Sequence, residues 1–104
     1  MAEIKITEEN YDREISSSDI PVLLDFWATW CGPCMMLSPI IEEVANDFDG
    51  KIKVGKVNVD DEVSLAAKFG ISSIPTLVLV KDGEVSKTSV GYMTKEELVS
   101  FIEE

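Results

Sequence analysis

The fold of this 104-residue chain is decided between residues 22 and 34. They read Val22-Leu23-Leu24-Asp25-Phe26-Trp27-Ala28-Thr29-Trp30-Cys31-Gly32-Pro33-Cys34. The first half is nearly continuous in apolar residues, which is typical of a strand covered on both faces of a sheet. The second half holds both cysteines of the chain, separated by two residues, at the entrance of a predicted helix. This arrangement indicates reversible thiol–disulfide chemistry.

Strands and helices alternate along the rest of the chain. Apolar runs predict strands at 22–28, 52–59 and 76–80, a weaker one near 3–6, and, after the hairpin signal Asp82-Gly83, a partner strand near 84–90. Apolar periodicity and capping residues predict helices over 7–15, from the cysteines to about Phe48, near 62–69 with Gly70 as its cap, and from Thr94 onward. Thr7 and Asn10 are the candidate caps of the first helix. The alternation predicts an α/β fold whose mixed sheet is covered on both faces.

Length and charge limit the classes of function. A chain of 104 residues suffices for one compact domain, so we expect a single domain over residues 1–104. Nine basic residues against 20 acidic ones give a net charge of −11, which disfavours nucleic acid and anionic membranes as partners. The sequence shows neither a membrane span nor a secretory signal, so we expect a cytoplasmic protein. Because it has no histidine, general-base catalysis must come from other groups or not occur.

The spacing of the two cysteines suggests a role for each. Cβ atoms three positions apart in a helix lie about 5–6 Å from each other, whereas a disulfide needs about 3.8 Å. The pair should therefore straddle the helix start, where Gly32 permits the turn and Pro33 fits the first helical turn. Cys31 would lie at the positive end of the helix dipole, which favours a thiolate, and Cys34 would be less exposed. We expect Cys31 to attack and Cys34 to resolve.

Three other interpretations of the cysteine pair are weaker. A purely structural disulfide across so short a loop would constrain the unfolded chain little. Structural zinc takes four ligands, and the chain has neither a second cysteine pair nor a histidine. Haem attachment needs a histidine after the second cysteine, where Met35 stands.

Asp25 and Lys56 are charged residues within predicted central strands. One interpretation is a partly buried ion pair, or side chains that reach solvent. The other is that Asp25 is a proton acceptor near the cysteines, with its pKa raised by burial and Lys56 moderating the shift. Trp27 and Trp30 are ordinarily packing residues, but Trp30 lies beside a cysteine that we expect to be exposed and is a candidate contact for partners.

The segment from Asp25 to Cys34, followed by Pro39, Lys56, Ile74-Pro75-Thr76, Gly83 and Gly91, closely resembles the thioredoxin family in order and spacing. The similarity runs from about residue 5 to the end. It implies a thioredoxin fold, a five-stranded mixed central sheet flanked by four helices. It also implies that Pro75 is cis and faces the cysteines, although the residues alone favour an ordinary trans bond.

The resemblance further implies a general protein-disulfide reductase. Cys31 would attack a substrate disulfide, Cys34 would resolve the mixed disulfide, and Asp25 would assist through Lys56 and water. The family's substrate groove would be formed by Trp30, Gly32, Pro33, Ile74, Pro75, Val90 and Gly91. Cis-Pro75 would let backbone groups pair with an extended substrate segment. The implied partners are thioredoxin reductase and diverse disulfide-containing proteins. The resemblance also implies a monomer that binds neither cofactor nor metal.

Three features depart from the family pattern. Met35 stands where the family often has lysine, Tyr92 stands where a smaller residue is common, and the net charge of −11 is unusually acidic. They bear on the choice of partners, and the charge favours partners with basic rims. Two other functions compete with the reductase: an oxidant or isomerase acting on secreted proteins, and a non-catalytic binding subunit that uses the same groove.

Overall fold

A computed structural model describes residues 2–104 of the chain. Its strands are β1 (Glu3–Lys5), β2 (Val22–Trp27), β3 (Lys53–Asn58), β4 (Thr76–Lys81) and β5 (Glu84–Val90). They form one sheet in the spatial order β1-β3-β2-β4-β5. β3 is parallel to both β1 and β2, whereas β4 is antiparallel to both β2 and β5. The predicted mixed sheet is confirmed.

Among residues 2–104, four helical segments flank the sheet. They are a π-helix at Asp12–Ser16 and the α-helices α1 (Gly32–Asp47), α2 (Val63–Lys68) and α3 (Lys95–Glu103). The capping box predicted at Thr94 is confirmed: its hydroxyl accepts the N–H of Glu97 at 3.2 Å, and the Glu97 carboxylate accepts the N–H of Thr94 at 2.9 Å. The predicted hairpin is also confirmed, because Asp82 and Gly83 both have positive φ (53° and 78°), as a tight two-residue turn requires.

The first helix begins later than predicted. The N–H of Thr7 donates to Oδ1 of Asn10 at 2.8 Å, and the N–H of Asn10 donates to the Thr7 hydroxyl at 3.3 Å. These side chains hold residues 7–10 in a turn instead of capping a helix, a known competition between short polar side chains and helical hydrogen bonds. Helical backbone begins at Tyr11 and continues as the π-helix Asp12–Ser16, in which the N–H of Ser17 donates to the carbonyl of Asp12, five residues earlier, at 3.0 Å.

Each face of the sheet has its own apolar core, which confirms that both faces are covered. On one face, Leu24 and Phe26 of β2 pack with Ile15 of the π-helix and Leu65 of α2. On the other, a set of side chains from β2, α1 and α3 packs together: Leu23, Leu37, Ile41, Leu98 and Ile102. Because successive side chains in a strand alternate between faces, Asp25 lies on the same face as Leu23, the face covered by α1.

β3 lies between β1 and β2, and its centre is closely packed. A Cβ atom at Gly55 would meet Cγ1 of Ile6 at 2.6 Å, closer than two carbon atoms can approach. Glycine at this position therefore lets the apolar core fit against the middle of the sheet. Lys56 follows it and points to the opposite face, on the side of Asp25, with which it is in register across the parallel pair.

Candidate active site

A disulfide joins Cys31 and Cys34 at the amino end of α1, with their Cα atoms 5.2 Å apart. Cys31 is the N-cap of the helix and has an extended backbone, with φ −93° and ψ 110°. Its Sγ accepts the backbone N–H of Cys34 at 3.2 Å. Pro33 stands in the first helical turn, where its missing N–H costs no hydrogen bond. The pair therefore straddles the start of the helix, as predicted.

The expectation that Cys31 is exposed is wrong for the disulfide form. Cys31 is 5% exposed and Cys34 is 2% exposed, so both are buried, although Cys34 is the less accessible of the two as predicted. The cause is the apolar cluster around them: Ala28 packs with both cysteines, and Trp27, Val59 and Ile74 close over the group. Of the two cysteines, Cys31 is therefore the more accessible to a partner.

The loop before β4 lies against the disulfide. The Ile74–Pro75 peptide bond is cis, and Pro75 is buried. The Pro75 carbonyl accepts the N–H of Gly91 at 2.8 Å, which joins this loop to the end of β5. Among residues 2–104, the backbone of Ile74 takes part in no such hydrogen bond outside helices and strands.

Several of the predicted groove residues form an exposed surface around the disulfide. Trp30 is 70% exposed and Val90 is 64% exposed, and Gly32 and Pro33 are exposed as well. Trp30 and Ile74 line one pocket of about 210 Å³. Val90 is paired with the residue after Pro75 in the sheet, so it lies next to the same loop. The structure thus places Trp30 beside Ile74, and Val90 and Gly91 beside the Pro75 loop, while the binding of substrate by these residues stays a prediction.

Asp25 is the buried charge of the site. It is 1% exposed, and its Oδ1 has no hydrogen-bond partner among the described residues. Burial raises the pKa of Asp25 from 3.8 to about 6, the nearby Lys56 ammonium opposes this rise, and the Glu3 carboxylate adds to it. The predicted direction of the shift and the moderating effect of Lys56 are confirmed.

Lys56 does not form an ion pair with Asp25, so the ion-pair interpretation is wrong, although the half-buried Lys56 does reach an open pocket. Its Nζ donates to the hydroxyl of Ser38 at 3.3 Å and lies 4.8 Å from the centre of the Trp27 ring. Among residues 2–104, the salt bridges involve other side chains. Lys56 therefore acts on Asp25 through the field of its charge and not through direct contact.

Sequence reasoning missed two residues of the site. The Asp60 carboxylate accepts a hydrogen bond from the indole N–H of Trp30 at 2.8 Å, and the Ser38 hydroxyl oxygen accepts one from the Lys56 ammonium. The position of Asp60 could have been noticed, because it follows β3. Since β3 is parallel to β2, its carboxyl end lies beside the carboxyl end of β2, from which the chain enters α1. Ser38 gives no such signal, since a serine beside an apolar helical stripe is ordinarily a surface residue.

Comparison with known proteins identifies the family of this chain. The family model named thioredoxin matches residues 2–104. The chain belongs to the thioredoxin family. A thioredoxin of Staphylococcus saprophyticus is 50% identical over 103 residues, covering 99% of this chain and 97% of the relative. A thioredoxin of Haemophilus influenzae is 48% identical over 99 residues, covering 95% and 92%. One of Pseudomonas aeruginosa is 43% identical over 100 residues, covering 96% and 93%.

Membership of the thioredoxin family confirms the predicted fold and the class of chemistry. The sheet of five strands with four flanking helical segments is the thioredoxin fold, and the protein is a thiol–disulfide oxidoreductase whose redox group is the Cys31–Cys34 pair. In the part of the chain that the structure describes, no group of three or more His, Cys, Asp or Glu side chains is arranged to hold a metal ion. None of the helices described there has the length and apolar character needed to cross a bilayer.

Proposed function

We propose that this thioredoxin-family protein is a general protein-disulfide reductase and electron carrier. The observation that supports this most directly is the placement of Cys31 as the N-cap of α1, with Cys34 one turn inside. The helix dipole and the N–H of Cys34, which already donates to Cys31 Sγ, favour negative charge on that sulfur once the disulfide is reduced. Cys31 is thereby the attacking thiolate and Cys34 the resolving thiol.

The reaction is two successive thiol–disulfide exchanges. The Cys31 thiolate attacks one sulfur of the substrate disulfide, forms a mixed disulfide and releases the other sulfur as a thiolate. Cys34, after losing its proton, attacks Cys31 Sγ, which releases the second substrate thiolate and forms the Cys31–Cys34 disulfide. The substrate gains two electrons and the protein loses two. Thioredoxin reductase would return the protein to its dithiol form.

Asp25 is the group that would take the proton from Cys34. Its pKa of about 6 lies close to neutral pH, where a general base works best. It lies on the face of the sheet that α1 covers, two residues before Trp27, which packs against the cysteines. The chain has no histidine to serve instead. Lys56 would stabilise the Asp25 carboxylate once Asp25 has released this proton.

The substrate would bind in the groove around the disulfide as an extended segment. Trp30 and Val90 offer exposed apolar surface, with Gly32, Pro33 and Gly91 at its edges. The Pro75 carbonyl is already bonded to Gly91, so the backbone of Ile74 is the one that would pair with the substrate.

Exposed side chains beside the groove favour particular partners. Met35 is 43% exposed and Tyr92 is 45% exposed, which enlarges the apolar surface. α1 contains neither lysine nor arginine, and Asp60 is held at the indole of Trp30. Proteins whose disulfide is flanked by basic and apolar residues are therefore the expected substrates, while the net charge argues against nucleic acid. A reductase of this kind would act as a monomer in a reducing compartment, the cytoplasm.

Trapping and redox titration together test the proposal. The Cys34→Ser variant, mixed with a disulfide-bonded substrate such as insulin, should accumulate a mixed disulfide through Cys31, whereas Cys31→Ser should form none. The wild-type couple, titrated in glutathione buffers by tryptophan fluorescence, should have a potential well below that of the glutathione pool; each ~30 mV corresponds to about 1.4 kcal/mol. A potential at or above that of the pool would indicate an oxidant or isomerase instead. Binding of partners by the Cys31→Ser, Cys34→Ser double variant as tight as that of the wild type would indicate a binding subunit.

A further inference from the structure

The ammonium of Lys56 is held at two points on the face of the sheet that α1 covers. One is the ring of Trp27, whose centre lies 4.8 Å from Nζ, and the other is the hydroxyl oxygen of Ser38 at 3.3 Å. Both Lys56 and Ser38 are half-buried. A lysine ammonium is strongly hydrated and has three hydrogens to donate, so a half-buried position has to be supported by such contacts.

Ser38 is well placed to connect this ammonium to the reacting sulfurs. It stands four residues after Cys34 in α1, one helical turn further along the same face. Trp27, the other contact of Lys56, packs against the cysteine cluster. The ammonium is therefore fixed from both sides by elements that also carry or contact the disulfide.

An outward position is open to Lys56 if this support is lost. A pocket of about 440 Å³ lies beside it at the edge formed by β1 and β3. Two carboxylates, Glu3 and Asp61, and one ammonium, that of Lys5, line this pocket together with Trp27 and Lys56. A released ammonium would turn into the pocket, where water and the carboxylates solvate it better than the interior does.

We propose that Ser38 is a positioning residue that keeps the Lys56 ammonium on the side of Asp25, and thereby governs how readily Asp25 takes up a proton during resolution. This deepens the proposed function, since it rests on the role given there to Asp25. Ser38 touches neither substrate nor the reacting sulfurs in this role. Its effect passes entirely through Lys56.

The direction of the effect follows from the charges around Asp25. Lys56 faces it from β3 and Glu3 acts on it from β1, with opposite signs, whereas the register partner on β4 is the uncharged Leu77. From α1 comes the Cys31–Cys34 disulfide, which carries no charge while oxidised. Moving Lys56 outward weakens the attraction of a cation that favours ionised Asp25, while burial, the largest cause of the raised Asp25 pKa, is unchanged. The pKa of Asp25 should then rise further.

The experiment is an NMR titration of the Asp25 carboxyl carbon in the oxidised protein, without substrate. Ser38→Ala should shift the midpoint upward by about half a pH unit, as expected for moving a charge from a few ångströms to a solvated position. Ser38→Thr, which keeps the hydroxyl, should restore the wild-type midpoint. In a Lys56→Met background, Ser38→Ala should cause no additional shift. In Ser38→Ala the pH profile of insulin reduction should shift to higher pH by the same amount. At alkaline pH the rates of the variant and the wild type should converge.

An unchanged or lowered midpoint in Ser38→Ala would overturn the proposal, and so would an equal shift in the Lys56→Met background. Because the titration uses oxidised protein alone, it is independent of the trapping experiment on Cys34→Ser. Failure to trap a mixed disulfide would count against the proposed reductase while leaving the titration result in place. An unchanged Asp25 midpoint in Ser38→Ala together with successful trapping would count only against the role of Ser38.

Discussion

The carboxyl group of Asp25 lies in the interior of the sheet, where its Oδ1 has no hydrogen-bond partner among residues 2–104, and burial raises its pKa from 3.8 to about 6. Between these two pH values the folded protein binds more protons than the unfolded chain, so stability falls as pH rises through this window. Above it, the ionised carboxylate destabilises the fold by about 3 kcal/mol, from 1.36 kcal/mol per pH unit. The chain retains a group that its stability alone would not favour.

Asp25→Asn should therefore change stability and rate in opposite directions. Asparagine resembles the protonated acid in shape, so the oxidised variant should be more stable than the wild type by about 3 kcal/mol at alkaline pH, with the advantage vanishing towards pH 4. Insulin reduction near neutral pH should be slower, by about 10- to 100-fold, because the proton acceptor is lost. Urea unfolding at several pH values and reduction kinetics measure the two effects.

The exposed Asp19 provides the matched control, since Asp19→Asn makes the same chemical change at the surface and should alter neither quantity. A stability gain in Asp25→Asn that does not depend on pH would contradict the linkage argument. A reduction rate unchanged from about pH 6 to pH 9 would remove Asp25 from the mechanism.

Two of the helices show where local signals suffice and where they do not. The start of α3 is encoded within four residues, because Thr94 and Glu97 satisfy each other's backbone N–H groups without help from the rest of the chain. Around the first helix, local signals compete: Thr7 and Asn10 are good caps, but they are also good turn residues that bond to each other. Apolar periodicity could not decide between these outcomes, and the turn forms.

Removing the cap of α3 gives a direct test of its contribution. Thr94→Ala should lower the free energy of unfolding by about 1 kcal/mol, because the N–H of Glu97 loses its acceptor. Thr94→Ser keeps a hydroxyl at the same place and should lose much less. Urea unfolding of the three oxidised proteins measures the difference. Equal losses in the two variants would mean that the methyl group of Thr94, and not its hydroxyl, provides the stability.

The net charge of −11 acts over the molecule as a whole. Two of the cations are already engaged within the protein: the half-buried Lys56 contacts Ser38, and Lys95 is paired with Glu43 and Asp47 at 3.1 and 2.9 Å. The approach of a substrate is therefore steered by a negative field, which salt screens over about 10 Å at 0.1 M. Such steering changes association rates more than the chemistry of exchange.

Salt should affect basic and acidic substrates in opposite ways. Two disulfide peptides that differ only in flanking residues, lysine in one and glutamate in the other, provide the comparison. At low ionic strength the lysine peptide should be reduced about 10-fold faster, and the difference should shrink as salt is added. Stopped-flow fluorescence gives both rates. Parallel salt dependence for the two peptides would show that the field of the protein does not reach the site.

The order of strands and helices, the start of α1 between the two cysteines, the hairpin and the cap of α3 all follow from the chain itself. Each depends on neighbouring residues, through apolar alternation, a glycine or proline at a required place, or a hydroxyl three residues from a carboxylate. The raised pKa of Asp25 could also be inferred, because a carboxylate within a buried strand has to lose its hydration.

Other features depend on groups far apart in the chain, and only the tertiary structure decides them. Lys56 contacts Ser38 and the Trp27 ring instead of Asp25, Trp30 is tied to Asp60, and the disulfide lies beneath an apolar cluster that includes Ile74. The reason is that a long side chain has several partners within reach, and packing of helix against sheet selects one of them. The cysteine pair specifies the chemistry, and these long-range contacts determine the environment in which it operates.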